Sequence, residues 1–427
     1  MPKPTFLLIR GGRVVDPAAS ADAVRDVFVS GGAIAPLNDV PAGLRGVEVI
    51  EAAGLVAAPG FVDMHVHLRD PGSTYKEDIL TGAAAAAAGG FTAMACMPNT
   101  SPVADNADTL AYIAEKSRRA PVAVLPYAAV TVGQRGERLT DFAALLGAGA
   151  AAFSDDGQPV MSAAVMRAAL RRADELGTFI SSHCEDATLA GDRAVNAGRL
   201  SALLGLPGRP AIAEEIMIAR DTLLAAENGA RVHIAHVSTG RSVEIIRRAK
   251  ADGVRVTAET CPHYFSLTED EVPRLGSLAR VNPPLRTGGD VAAIIVGLRD
   301  GTLDAIATDH APHSAEEKAK PLPDAPSGMI GLETSLAVSL TSLYHTGELP
   351  LLDIVRLLSQ APARILGLPA RGLSIGAPAD ITLFDPGEPW TVAPQLFRSK
   401  ARNTPFAGSE LRGRVKYTIR GGKIVYR

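Results

Sequence analysis

The stretch Phe61-Val62-Asp63-Met64-His65-Val66-His67-Leu68-Arg69 sets two histidines two residues apart in an apolar run, with an arginine just beyond. Side chains of a strand alternate faces, so in an extended run His65 and His67 point one way and Met64, Val66 and Leu68 the other. Two imidazoles converging from one face suit a divalent cation such as zinc; a hydrogen-bonded structural pair is the alternative. The remaining polar residues must decide between them.

Asn99, the adjacent Asp155 and Asp156, His183, His236, and Asp309 with His310 and His313 recur along the chain at intervals of one structural unit. Four histidines and at least two aspartates in one place make a nitrogen and oxygen donor set for zinc, with room for two ions if a carboxylate bridges them. Two ions roughly 3.5–4 Å apart activate a shared water at neutral pH for attack on a carbonyl carbon. The chemistry this implies is hydrolysis or its reverse. A carboxylate such as Asp309 beside that water can take its proton and return it to a leaving nitrogen; its alternative role is a helix N-cap.

These residues need a scaffold that gathers them. In the 427-residue chain an α/β barrel can take well over half the length. Hydrophobic residues make up 47% but aromatics only 4%, so the core is built from Ala, Val, Leu and Ile. A formal net charge of -3 gives no electrostatic reason to expect nucleic acid or an anionic membrane, and a small-molecule substrate is expected instead. Cys96, Cys184 and Cys261 are isolated, which argues against a disulfide framework or a cysteine zinc site and for a cytoplasmic chain. Phe6-Leu7-Leu8-Ile9, interrupted by Arg10, is too short for a signal segment, and no stretch reads as a membrane span. The run Ala83 to Ala88 reads as helix.

Residues 1–58 read as short strands and turns. The far end answers them: Ile419-Arg420-Gly421-Gly422-Lys423-Ile424-Val425 repeats the pattern of Ile9-Arg10-Gly11-Gly12-Arg13-Val14-Val15. Residues 1–58 and 371–427 are therefore expected to form one small β domain, with a (β/α)8 barrel over 59–370 inserted between them. Eight strands are expected at 61–67, 91–97, 122–130, 150–155, 178–184, 231–237, 255–260 and 303–308. Helices are expected at 105–119, 163–176 and 242–252, with late segments at 332–344 and 352–366. On this scheme the histidines and aspartates fall at the C-terminal ends of the strands, where barrel active sites lie.

Here the chain resembles a family. Its barrel with a split β domain and its order of ligands are similar to the amidohydrolase superfamily. Within it, His65-Val66-His67-Leu68-Arg69-Asp70-Pro71-Gly72, Met97-Pro98-Asn99-Thr100, Phe153-Ser154-Asp155-Asp156-Gly157, His183-Cys184-Glu185-Asp186, Cys261-Pro262-His263-Tyr264 and Ala307-Thr308-Asp309-His310-Ala311-Pro312-His313 resemble the dihydroorotases of the bacterial, aspartate-bridged branch. The resemblance implies two zinc ions per chain, one on His65 and His67 and one on His183 and His236. Asp156 would bridge them, with Asp155 hydrogen-bonded nearby, and Asp309 would serve both as a further metal ligand and as the acid and base of the reaction. It also implies a substrate clamp of His67, Arg69, Asn99, Asn282 and His313, with backbone groups at Ser327 and Gly328. The implied reaction interconverts N-carbamoyl-L-aspartate and (S)-dihydroorotate in pyrimidine biosynthesis.

Relatives acting on hydantoin, dihydropyrimidine or allantoin bridge their metals with a carboxylated lysine near the fourth strand. No lysine lies between Lys116 and Lys250 here. A substrate carrying carboxylates calls for a fixed arginine, and Arg69 stands two residues past His67. The Pro-rich 310–331 loop is expected to be a functional lid, with Glu316-Glu317-Lys318 a solvated face. His233, His263 and Glu259 are expected in the core or behind the ligands. The family supplies two partner candidates, an aspartate transcarbamoylase and a second copy of the chain. A non-catalytic scaffold is the reading of a different class.

Overall fold

Eight strands form one parallel sheet: β1 (Phe61–Val66), β2 (Phe91–Cys96), β3 (Ala123–Ala128), β4 (Ala152–Ser154), β5 (Ile180–Ser182), β6 (Val232–Ile234), β7 (Val256–Thr260) and β8 (Ala305–Ile306), each paired with the next in sequence. This architecture is read from a computed structural model that describes residues 6–427. Helices such as Ala107–Ser117, Ala163–Glu175 and Gly240–Ala251 follow the strands, each started by a side chain (Asn106, Ser162, Thr239) that accepts an orphan backbone N–H. Such covering of both sheet faces explains why β1 and β2 are buried along their whole length. The result is a near-closed (β/α)8 barrel.

Closure occurs beside the histidines. Val66 and His310 form an isolated parallel bridge, and His67 N–H donates to His310 C=O at 2.8 Å. Buried Asp63 adds a staple, accepting from Thr308 N–H at 3.2 Å, Thr308 Oγ1–H at 2.6 Å and His65 N–H at 3.0 Å. One carboxylate thus ties β1 to the segment that leads into Asp309.

Several strands are shorter than the sequence suggested: β4, β5, β6 and β8 stop before Asp155, His183, His236 and Asp309. Those residues lie in the first turns beyond the ladder and do not close the strands themselves. The backbone must leave the extended region to aim them inward. Among the described residues six non-glycine residues have positive φ, and three of them are Arg69 (58°), His236 (37°) and Asp309 (45°). The late helices differ too. Residues 352–366 form Leu351–Val355 and Ala361–Ile365 separated by a π turn, Arg356–Gln360, just before Pro362, whose missing N–H breaks the ordinary ladder.

Both chain ends share a second sheet. Strand Ile381–Thr391 pairs antiparallel with Val56–Pro59 on one side and with Glu410–Arg420 on the other, and Val56–Pro59 pairs with Phe6–Asp16. The repeated Arg-Gly-Gly motif has two local forms. Gly11-Gly12 sits at a register shift inside a strand, whereas Gly421-Gly422 turns a hairpin. The true counterpart of the latter is the Gly31-Gly32 hairpin turn, whose Cα approaches it closely.

The barrel floor rests on this sheet through Phe61, Phe91 and Phe384, with ring centroids 5.9 and 6.1 Å from Phe61. Gly90 lies at that joint with φ +88°, and a Cβ there would stand 2.6 Å from Thr382 Cγ2 and 3.0 Å from the Phe61 ring. Gly90→Ala combines left-handed strain with overpacking. It should destabilise the protein by about 3 kcal/mol, read as a lower urea midpoint, with the metal-site chemistry unchanged. The three cysteines are free and buried. No helix among the described residues is long and apolar enough to cross a membrane.

Candidate metal centre

His65 near the end of β1 and the loops beyond β1, β4, β5, β6 and β8, which carry His67, Asp156, His183, His236 and Asp309, meet in one buried cluster. Asp156 stands at its centre and faces a different histidine pair with each oxygen. Oδ2 lies 3.3 Å from His65 Nε2 and 3.5 Å from His67 Nε2. Oδ1 lies 3.2 Å from His183 Nδ1 and 3.2 Å from His236 Nε2. Two three-residue groups able to hold a cation therefore share one carboxylate: His65, His67, Asp156 and Asp156, His183, His236. Asp155 points away, accepting from Thr131 N–H at 3.1 Å and from its hydroxyl.

Local partners fix which nitrogen His65 and His67 turn inward. His65 Nδ1–H donates to Glu259 Oε1 at 2.8 Å, which leaves Nε2 toward Asp156. His67 Nδ1–H donates to Asn99 Oδ1 at 2.9 Å, leaving Nε2 3.1 Å from Asp309 Oδ1 and the Asn99 amide N–H groups free to point elsewhere. His183 turns Nε2 toward Glu185 Oε2 at 3.7 Å. Glu259 is in turn 3.3 Å from His233 Nε2. Hydrogen bonding of this kind from behind a ligand holds the ring and raises its basicity. Glu259→Gln should weaken binding of a divalent cation roughly 10–100-fold, measurable by competition with a chelator, with little change in fold.

The donor set fits a metal. His65 Nε2 is buried, has no hydrogen-bond partner among the described residues, and faces a carboxylate. Imidazole nitrogen and carboxylate oxygen suit zinc among the divalent ions. Electrostatics agree. Burial opposes charge on His183, yet Asp156 and Glu185 outweigh it and raise the imidazole to about 10. Burial likewise opposes ionisation of Asp309, and His65, His67 and His236 overcome it to hold its pKa below the ordinary carboxylate range. The pocket is built around positive charge.

A cavity of about 200 Å³ opens over this cluster. Asp156, His183 and Asp309 form its floor, and its walls carry His67, Arg69, Asn99, Asn282, His313, Ser327 and Gly328. Arg69 Nε donates to Pro312 C=O at 3.3 Å, and among the described residues no carboxylate pairs with its guanidinium. Asp309 and Asp156 act on its charge only from beyond ion-pair distance, so its guanidinium stands in the cavity wall without a direct anionic contact. Burial, then the charge of Arg69, push His313 down to about 3, so the ring is neutral; Nε2–H donates to Ser327 C=O at 2.8 Å. Buried Arg209 donates to Asn282 Oδ1 and to both oxygens of Glu185 at 3.0 and 2.9 Å, and so turns the Asn282 amide nitrogen toward His183. Gly328 N–H is engaged with Arg280 C=O at 2.9 Å, which leaves the Ser327 N–H as the donor of that turn without a partner among the described residues.

One expectation fails here. Lys318 is buried, not solvated, and its ammonium donates to Pro326 C=O at 2.9 Å and Arg280 C=O at 3.4 Å. Sequence reading also missed Arg209 and Asn403, which support cavity walls from behind. No spacing signal marks either, because both come from outside the strand ends. His263 is buried against Tyr264 and pushed down to about 4 by burial, so it stays neutral.

Comparison with known proteins gives these features relatives. Residues 54–242 match the family described as dihydro-orotase-like, and residues 333–426 match the amidohydrolase family. The chain is 51% identical over 419 residues to a dihydroorotase of Pelotomaculum thermopropionicum, covering 98% of each chain. It is 49% identical over 421 residues to a dihydroorotase of Citrifermentans bemidjiense, covering 98% of this chain and 99% of the relative. Among solved structures it is similar to an L-hydantoinase (dihydropyrimidinase) of Arthrobacter aurescens, with a TM-score of 0.87 at 26% identity, over 99% of this chain and 96% of that one.

Proposed function

We propose, from the premise that the chain belongs to the dihydroorotase family, that this cyclic amidohydrolase interconverts N-carbamoyl-L-aspartate and (S)-dihydroorotate using two zinc ions held around Asp156. The observation that carries the substrate assignment is Arg69, an arginine without a direct ion-pair partner among the described residues, in the wall of the cavity above the ligand cluster. Dihydroorotate keeps one carboxylate outside its reacting amide, and a guanidinium is suited to hold it in two hydrogen bonds. Asn99 and Asn282, whose amide oxygens are occupied by His67 and Arg209, offer N–H groups toward the same ligand, and Ser327 offers its backbone N–H.

His65 and His67 would hold one ion and His183 and His236 the other, with Asp156 between them. When bound, the zinc pair supplies Lewis acidity that activates water and polarises the amide carbonyl. Asp309 moves the proton. In ring opening it accepts the proton released as water adds to the ring carbonyl and hands it to the ring nitrogen as the C–N bond breaks. In ring closure it takes a proton from the ureido nitrogen and returns it to the departing hydroxyl. Arg69, Asn99 and His313 keep the reacting carbonyl over the floor of the cavity throughout, which lowers the entropic part of the barrier.

The second reading, an amidase of hydantoin, has the structural likeness in its favour. Against it stand the absence of any lysine from 117 to 249 and the aspartate shared by the two ligand groups. Ring opening followed spectroscopically with dihydroorotate, dihydrouracil, hydantoin and allantoin separates the readings. Turnover of dihydroorotate alone supports this proposal. Preference for hydantoin or dihydrouracil overturns the substrate, and inactivity of the zinc-loaded protein on all four overturns the catalytic reading in favour of a scaffold, for which an aspartate transcarbamoylase is the partner to test.

A further inference from the structure

Asn403 lies beyond strand Ile381–Thr391 of the terminal sheet, yet it is buried against the 310–331 loop at 4% exposure. Every hydrogen-bonding group of its side chain is engaged there. Oδ1 accepts His313 N–H at 3.1 Å, and Nδ2 donates to Ala311 C=O at 3.1 Å and to Gly328 C=O at 3.1 Å. Its own C=O accepts Ile330 N–H at 3.0 Å. The residue therefore sits between the two limbs of the loop, 311–313 and 328–330, and holds both.

The limbs are in contact with little slack. Gly328 has φ +133°, and a Cβ on it would stand 2.7 Å from Ala311 Cβ and 2.9 Å from Ala311 O. His313 and Gly328 line the cavity, whereas Asn403 does not. One N–H and two carbonyls need one acceptor and two donors, which a primary amide provides and a carboxylate or hydroxyl does not.

We infer that Asn403 is a positioning residue for substrate: it sets the separation of the His313 and Ser327-Gly328 walls and so lets the terminal sheet act on affinity in the barrel mouth. This rests on the reading in which those walls face dihydroorotate. Asn403→Asp keeps the size and the acceptor for His313 N–H but turns an anionic oxygen on two carbonyls. Asn403→Ala removes all side-chain bonds.

The test uses the full-length, zinc-loaded protein and its two variants, with dihydroorotate as substrate. KM is expected to rise on the order of tenfold in both, kcat to fall less than about threefold, and zinc content to equal that of the unaltered chain. Amide exchange at His313 should quicken in Asn403→Ala and stay slow in Asn403→Asp, a contrast that a general loss of packing would not produce. An unchanged KM with a lowered melting temperature overturns the inference, as does joint loss of zinc and kcat. Asn403→Ser provides the same comparison if the alanine chain does not fold, and failure of all three to fold overturns it in favour of a purely structural tie. Inactivity of the unaltered protein on dihydroorotate would instead overturn the substrate reading.

Discussion

Asp309→Asn is expected to lower turnover of dihydroorotate by about 10³-fold while leaving the metal content of the protein unchanged. Asparagine matches aspartate in size and can keep a contact with His67 Nε2, 3.1 Å away in the present structure. It has no basicity with which to take a proton from water or return one to nitrogen. Neither of the two three-residue ligand groups includes Asp309, so metal content is not expected to follow activity. Steady-state rates in both directions, measured beside elemental analysis of the same preparation, check the two halves separately. Turnover within about tenfold of the unaltered protein would remove Asp309 from proton transfer.

The second large effect is expected at Asp156. Asp156→Ala takes one ligand from each group at once, so zinc content should fall to one ion or fewer per chain. Activity should fall by at least about 10³-fold, since loss of several kcal/mol of Lewis-acid stabilisation corresponds to that factor. The same carboxylate helps raise His65 and His183 against the effect of burial. In the metal-free protein those rings hold protons that zinc must displace, so affinity should strengthen as pH rises. Retention of two ions in Asp156→Ala, seen by elemental analysis, would sink the bridging assignment.

The repeating βα pattern and the positions of the histidines were legible because periodicity and spacing are local properties of a chain. His65 and His67 stood out for that reason, and Asp156 could be preferred over Asp155 only through resemblance. The structure separates the two aspartates by their partners: Asp155 bonds to Thr131, and Asp156 faces four imidazoles. Strand ends were read too long, since apolar sequence continues into turns where left-handed residues such as His236 end the ladder. Lys318 looked solvated beside two glutamates because a sequence does not show which carbonyls a lysine will meet. Arg209 and Asn403 were invisible in a stricter sense. Their meaning depends on segments 73 and 92 residues away, to Asn282 and Ala311.

The pairing of Ile381 with Pro59 has a consequence for the order in which the molecule is made. During synthesis at about 5–20 residues per second, Val56–Pro59 leaves the ribosome roughly 15–65 s before its partner strand exists. Through that interval one side of the strand offers unpaired backbone groups, the situation in which edges recruit wrong partners. The barrel strands can emerge and pair in sequence meanwhile, but Ser399, which donates to Glu77, and Asn403 arrive with the last part of the chain. A nascent chain can therefore gather the metal ligands well before it can finish the mouth, and catalytic competence belongs to the completed polypeptide.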